Sequence, residues 1–283
     1  MGLHKASCPE IAVAAGRLLA MNARRLAMVG AFLVLTGCGP QSGSTPPVTP
    51  SPGTLRASPS PSPVRVLVFS RTMAYRHASI PAAVAAIEQL GAGHGYLVDA
   101  TEDPGVFTAA NLARYRAVVF LLTTGDVLDV DQQSAFERYI RAGGGFVGVH
   151  SASDTEYGWS WYGQLVGAYF QRHPAVQPAI IRIEDPGHPS MASLPASWKR
   201  TDEWYDFRTN PRGAVHVLAT VDESTYIGGG MGRDHPIAWC HAFDGGQSWY
   251  TAIGHAAESY TDPSFLSHLE GGIESVAGIS RGC

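Results

Sequence analysis

Three short apolar runs constrain this chain more than any other feature: residues 64–70 (VRVLVFS), 116–122 (RAVVFLL) and 145–149 (GFVGV). Runs this short, apolar without alternation and rich in branched residues, suit strands buried on both faces. Segments of helical character separate them. Ser79 is placed as an N-cap with Pro81 in the first turn, and AAVAAIEQL carries a helical pattern as far as Gly91. Residues 96–100 read as a further strand and 111–115 as the end of a short helix. Residues 131–141 read as a helix, with Phe136, Tyr139 and Ile140 on one side and an i,i+4 pair, Glu137 and Arg141, on the other. Alternation of this kind gives an α/β fold, a mostly parallel sheet with helices on both faces. Past His150 the alternation loosens. Residues 159–169 read as a helix, 177–184 as a strand, and 215–221, 237–243 and 249–253 as strands of a later extension for which antiparallel pairing is open.

The first 63 residues do not carry this pattern. Met21 precedes Arg24, Arg25 and an apolar run over 26–35 that ends in Leu35-Thr36-Gly37-Cys38. A basic start, a short apolar stretch and small residues at its end make a secretory signal, and about ten apolar residues are too few to span a bilayer. The ending is similar to a bacterial lipobox, which implies cleavage before Cys38 and lipidation of its thiol; an uncleaved signal or an ordinary membrane anchor is the alternative. Met21 then reads as the true start. Residues 39–63 are dense in Pro, Ser, Thr and Gly and form a solvated spacer. The expectation is a signal segment over 1–38, a disordered linker over 39–63 and one folded domain over 64–283, held outside the cytoplasm on the bacterial cell membrane by a lipid anchor.

With 283 residues and a formal net charge of −4, the chain can bury a substantial core and has no basic excess for nucleic acid. Cys240 and Cys283 are the cysteines of the folded part. In an oxidising compartment they either pair or stand as two thiols, and two cysteines do not decide between these.

Ligands of an open α/β sheet bind beyond the carboxyl ends of its strands. Three histidines fall there: His77 after the first strand, His150 directly after GFVGV, and His255 in "YTAIGHAAE". Asp154, His173 and the run Asp202-Glu203-Trp204-Tyr205 stand in neighbouring segments. Aromatic faces beside carboxylates and histidines suit a sugar, whose C–H faces pack on rings while its hydroxyls hydrogen-bond. The plain alternative is that most of these rings are core, and that His188 and His235, each followed by Pro, mark turns.

The motifs "YRHASIPAAVAAIEQL", "GGGFVGVHSASDTEYGWSWYGQLVGAYFQRHP", "DPGHPSMASLPASWKRTDEWYDF", "VHVLATVDESTY", "DHPIAWCHAFDGG" and "YTAIGHAAESYTDPSFLSHLEGGI", in this order, resemble the ThuA-like (trehalose utilisation) family over residues 64–277. The resemblance implies a flavodoxin-like fold similar to class I glutamine amidotransferases, and a role in the breakdown of trehalose, related disaccharides or keto-sugars. In those amidotransferases a nucleophilic cysteine occupies the strand-to-helix elbow, where this chain has His150. An imidazole is poorly suited to holding a glutamyl intermediate, so glutaminase activity is not expected. The expectation is instead an acid/base enzyme with His150, His255 and Glu203 as catalytic residues. His77, Asp154, His173, Asp202, Trp204 and Tyr205 are the expected sugar-binding residues. A divalent metal is a further possibility, with ligands drawn from His77, His150, Asp154, His173, Glu203 and His255. The rival reading is a lipoprotein that binds carbohydrate without turning it over.

Overall fold

The structure, a computed structural model, describes residues 63–283. The signal segment, Met21, Cys38 and the linker as far as residue 62 lie outside the described residues. The elements run β1 (Arg65–Phe69), α1 (Ile80–His94), β2 (Leu97–Thr101), α2 (Ala109–Leu112), β3 (Ala117–Leu121), α3 (Val130–Arg141), β4 (Gly145–Val149) and α4 (Ser160–Val166). There follow β5 (Phe170–Arg172), β6 (Gln177–Ile183), β7 (Ser197–Asp202), β8 (Asp206–Phe207), β9 (His216–Asp222), β10 (Pro236–Phe243), β11 (Gly246–Thr251) and α5 (Pro263–Ala277).

Nine strands form one sheet in the order β2-β1-β3-β4-β11-β10-β9-β6-β7, and β5 pairs with β8 apart from it. The five strands from β2 to β11 are parallel, and β10, β9, β6 and β7 continue the sheet antiparallel. The antiparallel pairing that the sequence left open is found throughout the extension except on one side of β11. This strand is antiparallel to β10 but parallel to β4, with Thr251 beside Val149, so its carboxyl end opens at the same edge as β4.

Successive residues of a strand face opposite sides of the sheet, and the core follows from that. Phe120 and Phe146 pack with Phe136 of α3 and Tyr162 of α4. The alternate positions meet α5: a Cβ on Gly145 would lie 2.5 Å from the Val276 carbonyl, and one on Gly272 would lie 2.5 Å from the Trp249 ring. Glycine is what lets helix and sheet approach this closely.

The helices hold two differences from the sequence reading. α1 runs through Gly91 to a left-handed Gly95, and the Ser79 side chain makes no capping bond. A Cβ on Gly91 would sit 2.7 Å from the Tyr96 carbonyl, so that glycine serves packing rather than helix termination. α3 is closed by a capping box between Asp129 and Gln132, and the expected Glu137–Arg141 pair forms at 2.9 Å. Cys240 and Cys283 are joined in a disulfide that fixes the C-terminal tail to β10. No helix among the described residues is long and apolar enough to cross a membrane.

Candidate active site

β4 delivers its chain into a short 3-10 turn over His150–Asp154, and the first residue of that turn has φ +52. A non-glycine residue in the left-handed region costs free energy that the surroundings must offset, and such residues gather at functional sites. The strain here turns the His150 ring back over the end of the sheet. Its Nδ1–H donates to the Ala252 carbonyl at 2.7 Å, at the end of β11, and its ring lies on that of Tyr205 with centroids 4.3 Å apart. A carbonyl can only accept, so Nδ1 carries a proton, and Nε2 is the nitrogen left to face the site, a donor when it is protonated and an acceptor when it is not.

Nε2 faces two other groups. Glu203 Oε2 lies 3.4 Å from His150 Nε2, His255 Nδ1 lies 3.4 Å from the same nitrogen, and His255 Nδ1 lies 3.1 Å from Glu203 Oε2. His77 completes the group, its ligand atom within 4.8 Å of the other three. Its Nδ1 lies 3.4 Å from Ser151 Oγ, one residue past the elbow, and its ring stands edge-on to those of His150 and His255. His150, His77 and Glu203 are buried and His255 is half-buried.

The electrostatics follow from this crowding. Burial lowers the His77 pKa to about 3, helped by the like charges of His150 and His255, so that ring is neutral near pH 7. Burial alone would raise the Glu203 carboxyl, but the bonds from His150 and His255 overcome it and hold the group well below the usual carboxylate range. The Glu203 carboxylate in turn raises His255. His150 Nε2, His255 Nδ1 and Glu203 Oε2 are each acceptors once deprotonated, so their convergence on one point calls for a cation among them, a proton or a metal ion.

Tyr75, Asp154, Phe170 and Tyr205 join His77, His173 and Glu203 around a cavity of about 380 Å³ at this edge. His173 Nδ1 lies 3.1 Å from Glu203 Oε1, at the exposed side of the site. Asp154 accepts from the Tyr157 hydroxyl at 2.6 Å, and burial raises its carboxyl.

Of the residues singled out in the sequence, His77, His150, Asp154, His173, Glu203, Tyr205 and His255 therefore converge. Asp202 and Trp204 do not reach the cavity. Asp202 is wholly buried behind the site and accepts from the backbone N–H groups of Glu203, Gly254 and His255. It ties the loop after β11 to the end of β7 and so positions His255 against Glu203. Trp204 lies in the core with its Nε1–H on the Gln177 carbonyl. The segment is extended here, so Glu203 and Tyr205 point one way while Asp202 and Trp204 point the other. Most of the aromatic residues are likewise core, including Tyr162, Phe207, Trp239 and Trp249. The rings that do line the cavity beside Tyr205 are Tyr75 and Phe170, which sequence reasoning missed because both stand beside a candidate histidine or strand and nothing in their residue type separates a cavity ring from a core one.

Fold and site together define a flavodoxin-like α/β protein with a histidine-rich cluster at the elbow. Residues 65–275 match the family model described as "ThuA: Trehalose utilisation", and the chain belongs to that family. It is similar in structure to a ThuA-like protein from Bacteroides uniformis at 23% identity and TM-score 0.66, over 81% of this chain and 97% of that one. A ThuA-like protein from Parabacteroides merdae is 19% identical with TM-score 0.63, over 76% of this chain and 90% of its own. A β-galactosidase from Bacillus circulans matches with TM-score 0.50 and 14% identity, over 76% of this chain and 31% of that one. These likenesses show the fold. No curated protein is significantly similar to the chain.

Proposed function

We propose that this chain is a carbohydrate-active enzyme of the ThuA family whose His77, His150, Glu203 and His255 side chains hold a divalent metal ion at the floor of a sugar pocket. The observation that carries this reading is the triangle of ligand atoms with edges of 3.1, 3.4 and 3.4 Å. Ligands ~2.0–2.1 Å from a tetrahedral ion lie ~3.3–3.4 Å from one another, so the triangle fits one face of a coordination shell. The surroundings fit as well. A metal-bound histidine usually has its second nitrogen fixed by a carbonyl or another polar group, and Ala252 O does this for His150 and Ser151 Oγ for His77.

An ion held there would polarise a carbonyl or hydroxyl oxygen of the sugar. His150 and His255 then act as ligands, and proton transfer falls to the side chains that face the cavity, Asp154 and His173. Tyr205 and Phe170 offer ring faces to the C–H side of the sugar. A protein that only binds sugar has no use for four converging acceptors or for strain at His150, and on that ground the enzyme reading is favoured over the non-catalytic one.

Metal analysis of protein purified without chelator, combined with a turnover screen of trehalose and its keto derivatives, tests this. About one equivalent of a divalent ion, lost in His150→Ala together with turnover, is expected. Stoichiometric metal with no turnover of any sugar would move the assignment to the binder. Absence of metal with turnover intact would return His150 and His255 to direct acid/base roles.

The same proposal places the enzyme outside the cytoplasm on a lipid anchor at Cys38. Support comes from the lipobox-like sequence and from the Cys240–Cys283 disulfide, a bond that persists in oxidising compartments. In Cys38→Ala the protein should leave the membrane fraction, and unchanged membrane association would refute lipidation.

A further inference from the structure

The loop between β1 and α1 holds an aromatic ring in solvent at considerable structural cost. Tyr75 is 63% exposed and its neighbour Met73 57%, although the loop that carries them is pinned. Met73 N–H donates to the Thr124 carbonyl at 2.8 Å, Ala74 N–H to Thr124 Oγ1 at 3.3 Å, and Thr124 Oγ1 donates in turn to the Tyr75 carbonyl at 2.8 Å. Gly125, at φ +73, lets the two segments touch, since a Cβ there would come within 3.1 Å of Met73. Arg76 closes the far side with a bidentate bond to Glu102 at 2.7 and 3.1 Å. The loop backbone is therefore fixed and carries the Tyr75 ring at the mouth, edge-on to His77 with centroids 4.8 Å apart.

Two further observations bear on what meets that ring. At about 380 Å³ the cavity is near the lower end of the ~300–1,000 Å³ range of small-molecule sites, so a two-ring sugar with one ring inside leaves its second ring at the mouth. None of the side chains lining the cavity is Lys or Arg. Of the arginines of the surrounding loops, Arg76 lies on Glu102, Arg172 on Asp206 at 2.6 Å and Arg208 over the Tyr157 ring at 4.0 Å, while Arg71 donates to Met73 Sδ at 3.3 Å. The cavity instead carries the carboxylates of Asp154 and Glu203, which accept from hydroxyls, and it offers a phosphate no guanidinium or ammonium donor.

Resting on the carbohydrate reading above, we infer that Tyr75 is the specificity-determining residue of the site: a stacking platform for the outer ring of a neutral two-ring sugar whose inner ring lies between Tyr205 and the histidine cluster. The site then selects unphosphorylated disaccharides over monosaccharides through one exposed ring.

Isothermal titration of the full chain with trehalose, glucose and trehalose 6-phosphate, with and without a divalent ion, tests the assignment. Trehalose should bind at least about tenfold more tightly than either of the other two. Tyr75→Ala should weaken trehalose about tenfold and leave glucose within about twofold, as expected for one lost ring contact, whereas Tyr75→Phe should keep the preference. An exposed side chain contributes little to the core, and equal thermal midpoints will show that both variants are folded. A Tyr75→Ala protein that keeps the trehalose preference overturns the assignment and leaves the carbohydrate function standing. Tighter binding of trehalose 6-phosphate than of trehalose overturns the neutral-sugar part. If the unaltered chain binds neither neutral sugar in either state, the carbohydrate function itself fails, and the role of Tyr75 with it.

Discussion

Two fully buried histidines hang on adjacent residues at the end of β11 and have opposite characters. His268 of α5 donates from Nδ1 to the Ser190 carbonyl at 3.1 Å, and its Nε2 meets Thr251 Oγ1 at 3.0 Å. His150 donates to the next residue, Ala252, but its Nε2 faces a carboxylate and a second histidine. The first ring has both nitrogens satisfied, Nδ1–H by a carbonyl that accepts and Nε2 by a hydroxyl that can donate, so it is complete without a ligand. The second is satisfied only when a cation joins it. Burial alone therefore does not mark a functional histidine; the polarity of its partners does.

Replacing each ring should separate the two regions most sharply at His150. His150→Ala removes one of the converging acceptors, and divalent-ion affinity should fall by more than ~100-fold, with sugar turnover lost alongside it. Stability should change by only ~1 kcal/mol, as thermal melts will show. A variant that loses several kcal/mol of stability yet binds the ion with unchanged affinity while folded would place His150 with His268.

The converse change, His268→Ala, opens a cavity against Trp249 and leaves the Ser190 carbonyl and Thr251 hydroxyl unpaired. A loss of ~2–4 kcal/mol is expected, read from chemical denaturation, with turnover per folded molecule unchanged. Turnover that fell in step with His150→Ala would mean that the two rings act as one unit, against the division drawn above.

pH reads the packed histidines, whose shift His77 of the site shares. Burial lowers His268 to about 3 and His188 to about 4, against an unfolded value near 6.5. Between these values the unfolded chain binds more protons than the folded one, so stability is complete above pH ~6.5 and falls as pH drops toward the folded values. The slope is ~1.4 kcal/mol per pH unit for each ring. Thermal midpoints of metal-free protein across this window should show the decline, and His268→Gln should remove one ring's share of it. An unchanged slope in that variant would show that His268 is not held neutral by its surroundings.

The sheet's parallel half was legible because strands buried on both faces read as unbroken apolar runs, and β1, β3 and β4 do so. The convergence of His77, His150 and His255 was legible for the same reason: parallel strands bring their carboxyl ends to one edge. α5 was not, although Asp262 and Pro263 open it as an N-cap and first residue. Its interior holds Gly271 and Gly272, which weaken a helical pattern; a Cβ at Gly271 would lie 2.5 Å from the Pro189 carbonyl carbon. β7 was missed because its residues alternate between exposed and buried around Lys199 and Arg200, as a strand at the end of the sheet does. Within the run 202–205 the residue types alone gave no phase, and so Asp202 and Trp204 were grouped with Glu203 and Tyr205. Phase is set by the end of β7, which is tertiary information.

One residue stands between the two regions and offers the finest test. His235 is fully buried, with Nδ1 at 2.8 Å from Glu223 Oε1 and Nε2 at 2.8 Å from the Tyr205 carbonyl. The Tyr205 carbonyl accepts from Nε2–H and the Tyr226 hydroxyl, 3.1 Å from Nδ1 beside Glu223, can donate there, which places the ring with His268, yet it holds the backbone of the residue whose ring covers His150. Because it reaches the site through a main-chain bond alone, His235→Gln should move ion affinity by no more than ~3-fold while costing ~1 kcal/mol of stability. Titration of the ion into wild type and variant, beside their thermal midpoints, measures both. A loss of ion affinity on the scale of His150→Ala would show that the position of Tyr205 is part of the metal site, and satisfied partners would then no longer suffice to call a buried histidine structural.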